Sequence, residues 1–159
     1  MHIPIKFSSC CHAHSKKNAA LLDLAPGDRI IIPKSEFMIV QHHGIYLGKN
    51  NSGADLVAEN KIGYGVRVVS LTEFFSGVST ITRIEKFEGT NYERRRLVER
   101  IVSKLGHPYD LINYNCQHFA NDMLNNEIKS DQVDNLLEGL KIAAGIVLTI
   151  GFLSVIAGK

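Results

Sequence analysis

The sequence predicts an α+β domain in which an antiparallel sheet packs against helices. Three features carry that expectation. Residues 29–70 break into short apolar and β-branched runs separated by turn residues, the spacing of a small sheet rather than of helices. Lys49-Asn50-Asn51-Ser52-Gly53 lies between two of those runs with the composition of a hairpin loop. Further on, Ser70-Leu71-Thr72-Glu73 and Thr90-Asn91-Tyr92-Glu93 both have the spacing of a capping box, which opens a helix.

In order, residues 1–20 are mixed and polar without a period and read as a loosely ordered arm. Ala25-Pro26-Gly27-Asp28 is a turn. The predicted strands are Arg29–Ile32, Met38–Gly48, Asp55–Asn60 and Val66–Ser70, then, after a short helix over Phe74 and Phe75, Ser79–Phe87. A helix from Thr90 to about Leu105 is closed by Gly106 and followed by Pro108. Leu97, Val98, Ile101, Val102 and Leu105 form its expected buried stripe. Arg96, Arg100 and Lys104, four residues apart, form an expected solvated row. Asn113-Tyr114-Asn115 leads into a helix from about Cys116 to Leu124, apolar through Phe119, Ala120, Met123 and Leu124.

The domain is expected to span 21–125, with a polar, partly helical linker over 126–140 and a hydrophobic helix over 141–159. Residues 142–158 carry no charge and lie between Lys141 and Lys159. As a helix they extend about 25 Å against a hydrocarbon core of about 30 Å, enough to anchor with local thinning and lysine snorkelling. A helix apolar on every side needs cover that so small a domain does not supply, so we expect a membrane anchor.

The chain has 159 residues, 45% hydrophobic and 21% charged, which suits one globular domain. A net charge of +2 gives no case for nucleic-acid binding. Its three cysteines are Cys10, Cys11 and Cys116; the odd number and the adjacent pair argue against a disulfide framework. Cys10, Cys11, His12 and His14 lack the two separated ligand pairs of a zinc module. The first residues hold no apolar run of signal-peptide length, so the catalytic domain is expected in the cytosol.

Cys116 falls where a loop becomes a helix. A helix N-terminus favours thiolate over thiol and offers N–H groups to an oxyanion. A cysteine nucleophile also needs a base, and His42, on a predicted strand, is the candidate. The group that orients His42 should lie across the hairpin. Simple pairing about residues 49–53 sets Asn60 opposite His42, and a one-residue change of register sets Glu59 there. Strand alternation turns His42 and His43 to opposite faces, so only one of them can serve Cys116.

Two blocks carry a resemblance. Gln41-His42-His43-Gly44-Ile45-Tyr46-Leu47-Gly48 and Tyr114-Asn115-Cys116-Gln117-His118-Phe119-Ala120 resemble the signature blocks of the lecithin:retinol acyltransferase-like family. That family includes the H-Ras-like suppressor phospholipase/acyltransferases and belongs to the circularly permuted, NlpC-type branch of papain-like folds. Pro26-Gly27-Asp28 and Ser70-Leu71-Thr72-Glu73-Phe74 also resemble its pattern, and the likeness covers about residues 24–124. It implies Cys116 as nucleophile and His42 as base, with His43 in the place of an aromatic residue. It also implies that Asn115 shapes the turn before the nucleophile and that His118 packs or caps locally. The animal enzymes have a second histidine in a Val-x-His block; here the block reads Val57-Ala58-Glu59, which gives the third role to Glu59.

The resulting expectation is a thiol-dependent phospholipid acyl hydrolase or acyltransferase. It works through a Cys116 thioester, needs no cofactor or metal, and is held at the membrane by residues 142–158. Its partners are a membrane phospholipid and an acyl acceptor. Two rivals differ in class. One is a cysteine peptidase or amidase on the same fold. The other is a non-catalytic protein of the kind some viruses carry, with the same His and Asn-Cys blocks, acting by partner binding.

Overall fold

A computed structural model of the protein describes residues 5–6, 22–34 and 41–142. The chain divides into two compact units, 1–129 and 130–159. In chain order the first unit holds β1 (Ile5–Lys6), β2 (Arg29–Pro33), β3 (Gln41–Lys49), β4 (Asp55–Lys61), β5 (Gly65–Ser70), α1 (Leu71–Phe74), β6 (Thr80–Ile81), β7 (Arg83–Glu85), α2 (Asn91–Ser103) and α3 (Cys116–Asn125). The mixed class and the antiparallel sheet are as the sequence predicts. Five strands form the main sheet in the order β5-β4-β3-β2-β7, with every neighbouring pair antiparallel.

The run 79–87, expected as one strand, is two. Ile81 in β6 pairs with Ile5 of β1, whereas Arg83 in β7 pairs with Ile31 of β2. Thr82, between them, donates its N–H to the Ile31 carbonyl at 2.8 Å. The chain thus leaves a two-stranded ribbon and joins the main sheet within one residue.

Alternation sorts the sheet's side chains onto two faces. Ile30, Ile32, Tyr46, Val57 and Val69 pack with Leu71, Phe74 and Phe75 of the α1 region. Ile45, Ala58 and Val66 pack with Leu97 and Ile101 of α2 and with Phe119 and Met123 of α3.

Both capping boxes form or nearly do. Thr90 Oγ1 accepts the Glu93 N–H while the Glu93 carboxylate accepts the Thr90 N–H at 2.7 Å. At α1, Ser70 Oγ accepts the Glu73 N–H at 3.1 Å.

The face of α2 departs from expectation. Only Leu97 and Ile101 are buried, while Val102 and Leu105 are exposed. The basic row is not uniformly solvated either. Arg100 donates to the Met123 carbonyl and to Asn126 Oδ1, and Lys104 Nζ lies 3.2 Å from the Asp122 carboxylate. Two of the three basic residues therefore tie α2 to α3, and Leu105 lies past the end of the helix at Ser103.

In the second unit a helix, α4, covers 131–142, and Ser130 caps its first turn through Val133 N–H at 3.4 Å. Among the described residues no helix is long and apolar enough to cross a membrane. The expected anchor lies, but for Ile142, outside the described residues, as do the N-terminal arm except Ile5–Lys6 and the Cys10, Cys11, His12 and His14 group.

Candidate active site

The start of α3 is fixed by Asn115. Its Oδ1 accepts the N–H groups of Gln117 at 2.9 Å and His118 at 3.0 Å. The Asn115 N–H donates to His118 Nδ1 at 3.2 Å, completing the box from the other side. Asn115 shapes the turn and His118 caps locally, and Cys116 is left as the first helical residue. Because Asn115 takes the Gln117 and His118 donors, the Cys116 N–H is the one first-turn donor outside that cap. The expectation that the helix's first N–H groups would share an oxyanion narrows to that single group.

Two strands hold the same turn. Asn60 on β4 donates its side-chain amide to the Tyr114 carbonyl at 2.7 Å and to the Asn115 carbonyl at 3.4 Å. The Cys116 thiol lies 3.6 Å from the Gln41 carbonyl of β3. The pairing of β3 with β4 starts at Gly44 with Glu59, so Cys116 sits where the two strands part. A thiol in that seam is within reach of side chains on either face, although α3 itself packs on one.

On one face His42 Nε2 is 2.6 Å from Glu59 Oε2. Neither expected register forms. The hairpin closes with Lys49 opposite Asp55, and a bulge between Tyr46 and Gly48 sets Glu59 opposite Gly44, so Glu59 and His42 meet diagonally. Gly44 makes this possible: a Cβ there would stand 2.5 Å from Phe74 Cε2 and 2.6 Å from Val57 Cγ1. Phe74 fills the space and stacks on His42, its ring centroid 5.5 Å away. Asn60, the other candidate for the third role, holds the backbone ahead of Cys116 instead.

Glu59 is itself clamped. Its Oε1 accepts from Arg67 Nε at 2.9 Å and Nη2 at 2.7 Å. On the opposite face His43 Nδ1 accepts from Arg29 Nε at 3.0 Å. Burial, then the Arg29 charge, pushes the His43 imidazole down to about 2. A histidine that stays neutral with its Nδ1 engaged by a guanidinium is no base for Cys116.

The electrostatics of the other three groups favour charge separation. Burial pushes the Cys116 thiol up, but the hydrogen-bonding and charge influence of His42, with the His43 N–H and Lys34, brings it below its ordinary value. Burial pushes His42 down, and Cys116 and Glu59 together raise it above its ordinary value. Burial pushes Glu59 up, and His42 and Arg67 hold it below the usual carboxylate range. Among the described residues the buried His42 Nδ1 has no hydrogen-bond partner. With Nε2 on Glu59, Nδ1 is the nitrogen left for the thiol, whose charge acts on His42 as that of His42 acts on it.

Two residues around the Cys116, His42 and Glu59 group escaped the sequence reading. Burial and the charge at Cys116 push the Tyr109 hydroxyl up to about 12, which puts it in the thiol's field, and Lys34 Nζ lies 5.6 Å from the Tyr109 ring centroid. Tyr109 follows Pro108 in a loop, where no local pattern distinguishes it. Arg67 was equally hidden, one charge among apolar positions on β5.

Compared with family models, residues 28–142 match the family described as "Permuted papain-like amidase enzyme, YaeF/YiiX, C92 family", over more than half of the chain. No curated relative matches the chain. The match bears out the permuted papain-like part of the expectation and a cysteine-based hydrolase as its class; it does not specify the lecithin:retinol acyltransferase-like branch. With this sheet, this helix-capped cysteine and a match of that extent, the chain belongs to the permuted papain-like amidase family.

Proposed function

We propose that the protein is a thiol-dependent acyl hydrolase of amidase type, with Cys116 as nucleophile, His42 as general base and acid, and Glu59 as the group that orients His42. One observation carries the reading: the 2.6 Å His42–Glu59 contact beside a cysteine held at the first position of α3. The Cys116 thiolate attacks the acyl carbon of an amide or ester. The Cys116 N–H faces the developing oxyanion. His42 gives its proton to the departing nitrogen or oxygen, the old acyl bond breaks, and a thioester remains. Water then attacks the thioester while His42 takes its proton, the C–S bond breaks, and the carboxylic acid leaves with the thiolate and protonated His42 restored. No step in this cycle calls for a metal or a cofactor.

The narrower reading takes the acyl group from a membrane phospholipid and passes it to water or to an acceptor amine or hydroxyl. The two sequence blocks and the uncharged run 142–158 favour it. A tether would hold the protein at its substrate's surface and raise the effective concentration. The test presents one acyl chain as a soluble amide, a soluble ester and a phospholipid in vesicles, and follows the mass of the Cys116 peptide. An acyl adduct at Cys116 from any of them supports the thiol reading, and an adduct from vesicles above all supports the phospholipid reading. Turnover that survives Cys116→Ala refutes both.

A further inference from the structure

A cleft of about 490 Å³ opens beside the His42–Glu59 pair, and its carboxylates are paired while its lysines are not. It contains two carboxylates, Glu59 and Glu73, and Arg67 binds both, at 2.7 Å and 3.0 Å. It also contains Lys34 and Lys61, and neither lysine has a carboxylate partner among the described residues. Lys61 Nζ lies 5.8 Å from the Tyr64 ring centroid, much as Lys34 lies over Tyr109. A ring face attracts a cation but does not cancel its charge.

The two lysines match the two carboxylates of the lining in number, and Arg67, which backs both carboxylates from outside the lining, leaves the group with one positive charge in excess. If Cys116 and His42 form a thiolate–imidazolium pair, they add nothing to that excess. Lone surface lysines are ordinary and mean little. These two converge on one cleft, with Ile32 and Phe74 as apolar wall and the proposed base at its side. An apolar wall weakens solvent screening, so an anion entering the cleft would feel both charges strongly. The chain's net charge is only +2, so the excess is a property of the cleft rather than of the whole surface.

We propose that this cleft selects acyl substrates bearing an anionic group, a carboxylate or a phosphate, close to the scissile bond, held by Lys34 and Lys61. The proposal rests on the thiol-hydrolase reading above, and its test separates the two.

The test uses the full chain and two alkylating agents of the same chemistry, iodoacetate and iodoacetamide, with modification followed at the Cys116 peptide by mass spectrometry. Each rate is normalised to that of glutathione, which removes the reagents' intrinsic difference. Any effect of a lysine on the thiolate fraction is common to both reagents and cancels in their ratio. The wild-type chain should favour iodoacetate by about tenfold, the worth of one charge-assisted contact. Lys34→Gln and Lys61→Gln should each reduce the ratio, and the double variant should bring it near one. Protection of Cys116 by inorganic phosphate is then compared with protection by acetate. Stronger protection by phosphate indicates a phosphate-bearing substrate, and stronger protection by acetate a carboxylate.

If Cys116 reacts readily with iodoacetamide but shows no preference for iodoacetate, or the double variant keeps the preference, the anion proposal is overturned. If Cys116 reacts with neither reagent faster than glutathione near neutral pH, the thiol-hydrolase reading fails instead.

Discussion

His42 and His43 are adjacent on one strand and have opposite chemistry. The face of His42 offers it a carboxylate that Arg67 keeps ionised, and its imidazole is raised. The face of His43 offers it a buried guanidinium, and its imidazole is driven down to about 2. Both rings are buried, so burial alone does not distinguish them. The difference is the sign of the partner's charge, delivered by a one-residue alternation.

The most severe test of this comparison removes the thiol that the first histidine is proposed to serve. Cys116→Ala should fold, since a small buried side chain replaces another, and lose acyl-enzyme formation by at least about a thousandfold. An intact-mass measurement after substrate addition checks it, and an adduct elsewhere in the chain would end the assignment.

Exchanging the two histidines comes next. His42→Ala should slow Cys116 alkylation near neutral pH by about a hundredfold or more. His43→Phe should leave alkylation within a few-fold. It should instead cost about 1–3 kcal/mol of stability, because Arg29 Nε loses its buried acceptor. Alkylation rates and denaturant melts on both variants decide the matter, and the reverse ranking would show that the faces are misassigned.

Glu59→Gln is expected to act through pH. It removes the charge that raises His42, so the imidazolium becomes less favoured and the thiolate with it. The acid limb of Cys116 alkylation should move up by about one pH unit, with the variant still active. Stability responds with a definite sign. Glu59 is held below its ordinary value, so its contribution is complete above about pH 4.3 and is lost as pH falls through the lowered value. His42 is raised, so its contribution is complete below about pH 6.5 and is lost as pH rises through the raised value. Glu59→Gln should flatten the acid side of a melting profile, and an unchanged alkylation profile would refute the orienting role.

The smallest effect belongs to the space between strands. Gly44→Ala sets a Cβ against Phe74 and Val57, and should cost about 1–3 kcal/mol by overpacking. Phe74 should be displaced from His42, with a modest loss of alkylation rate. Thermal melts and alkylation on this variant show whether the stacked ring helps to hold the imidazole.

Much of this was legible in sequence because it is local. Turn residues bounded the strands, the Ser70 and Thr90 caps fixed two helix starts, and the Asn115-Cys116 junction marked α3. The His42–Glu59 partnership was reached by hairpin reasoning, but through a register that does not form. The bulge after Tyr46 falls at Gly48, whose φ of 96° a glycine adopts freely, and no residue in the loop itself announces it. The face of α2 was misread at Val102 and Leu105 because Arg100 and Lys104 bind α3, a tertiary contact that helical periodicity does not contain. Arg67 and Tyr109 were missed for the same reason, since both draw their meaning from distant neighbours.

The position of Cys116 in the seam between β3 and β4 has a consequence for how the protein acquires its reactivity. Apart from the start of its own helix, the groups that lower the thiol's proton affinity belong to earlier segments of chain: His42 and the His43 N–H on β3, and Lys34 just after β2. Until α3 docks, Cys116 has none of these and is expected to lie closer to an ordinary thiol of pKa about 8.5. The thiolate chemistry proposed for Cys116 would therefore arrive late in folding, and a half-folded chain would be spared the indiscriminate acylation and oxidation that a ready-made thiolate invites.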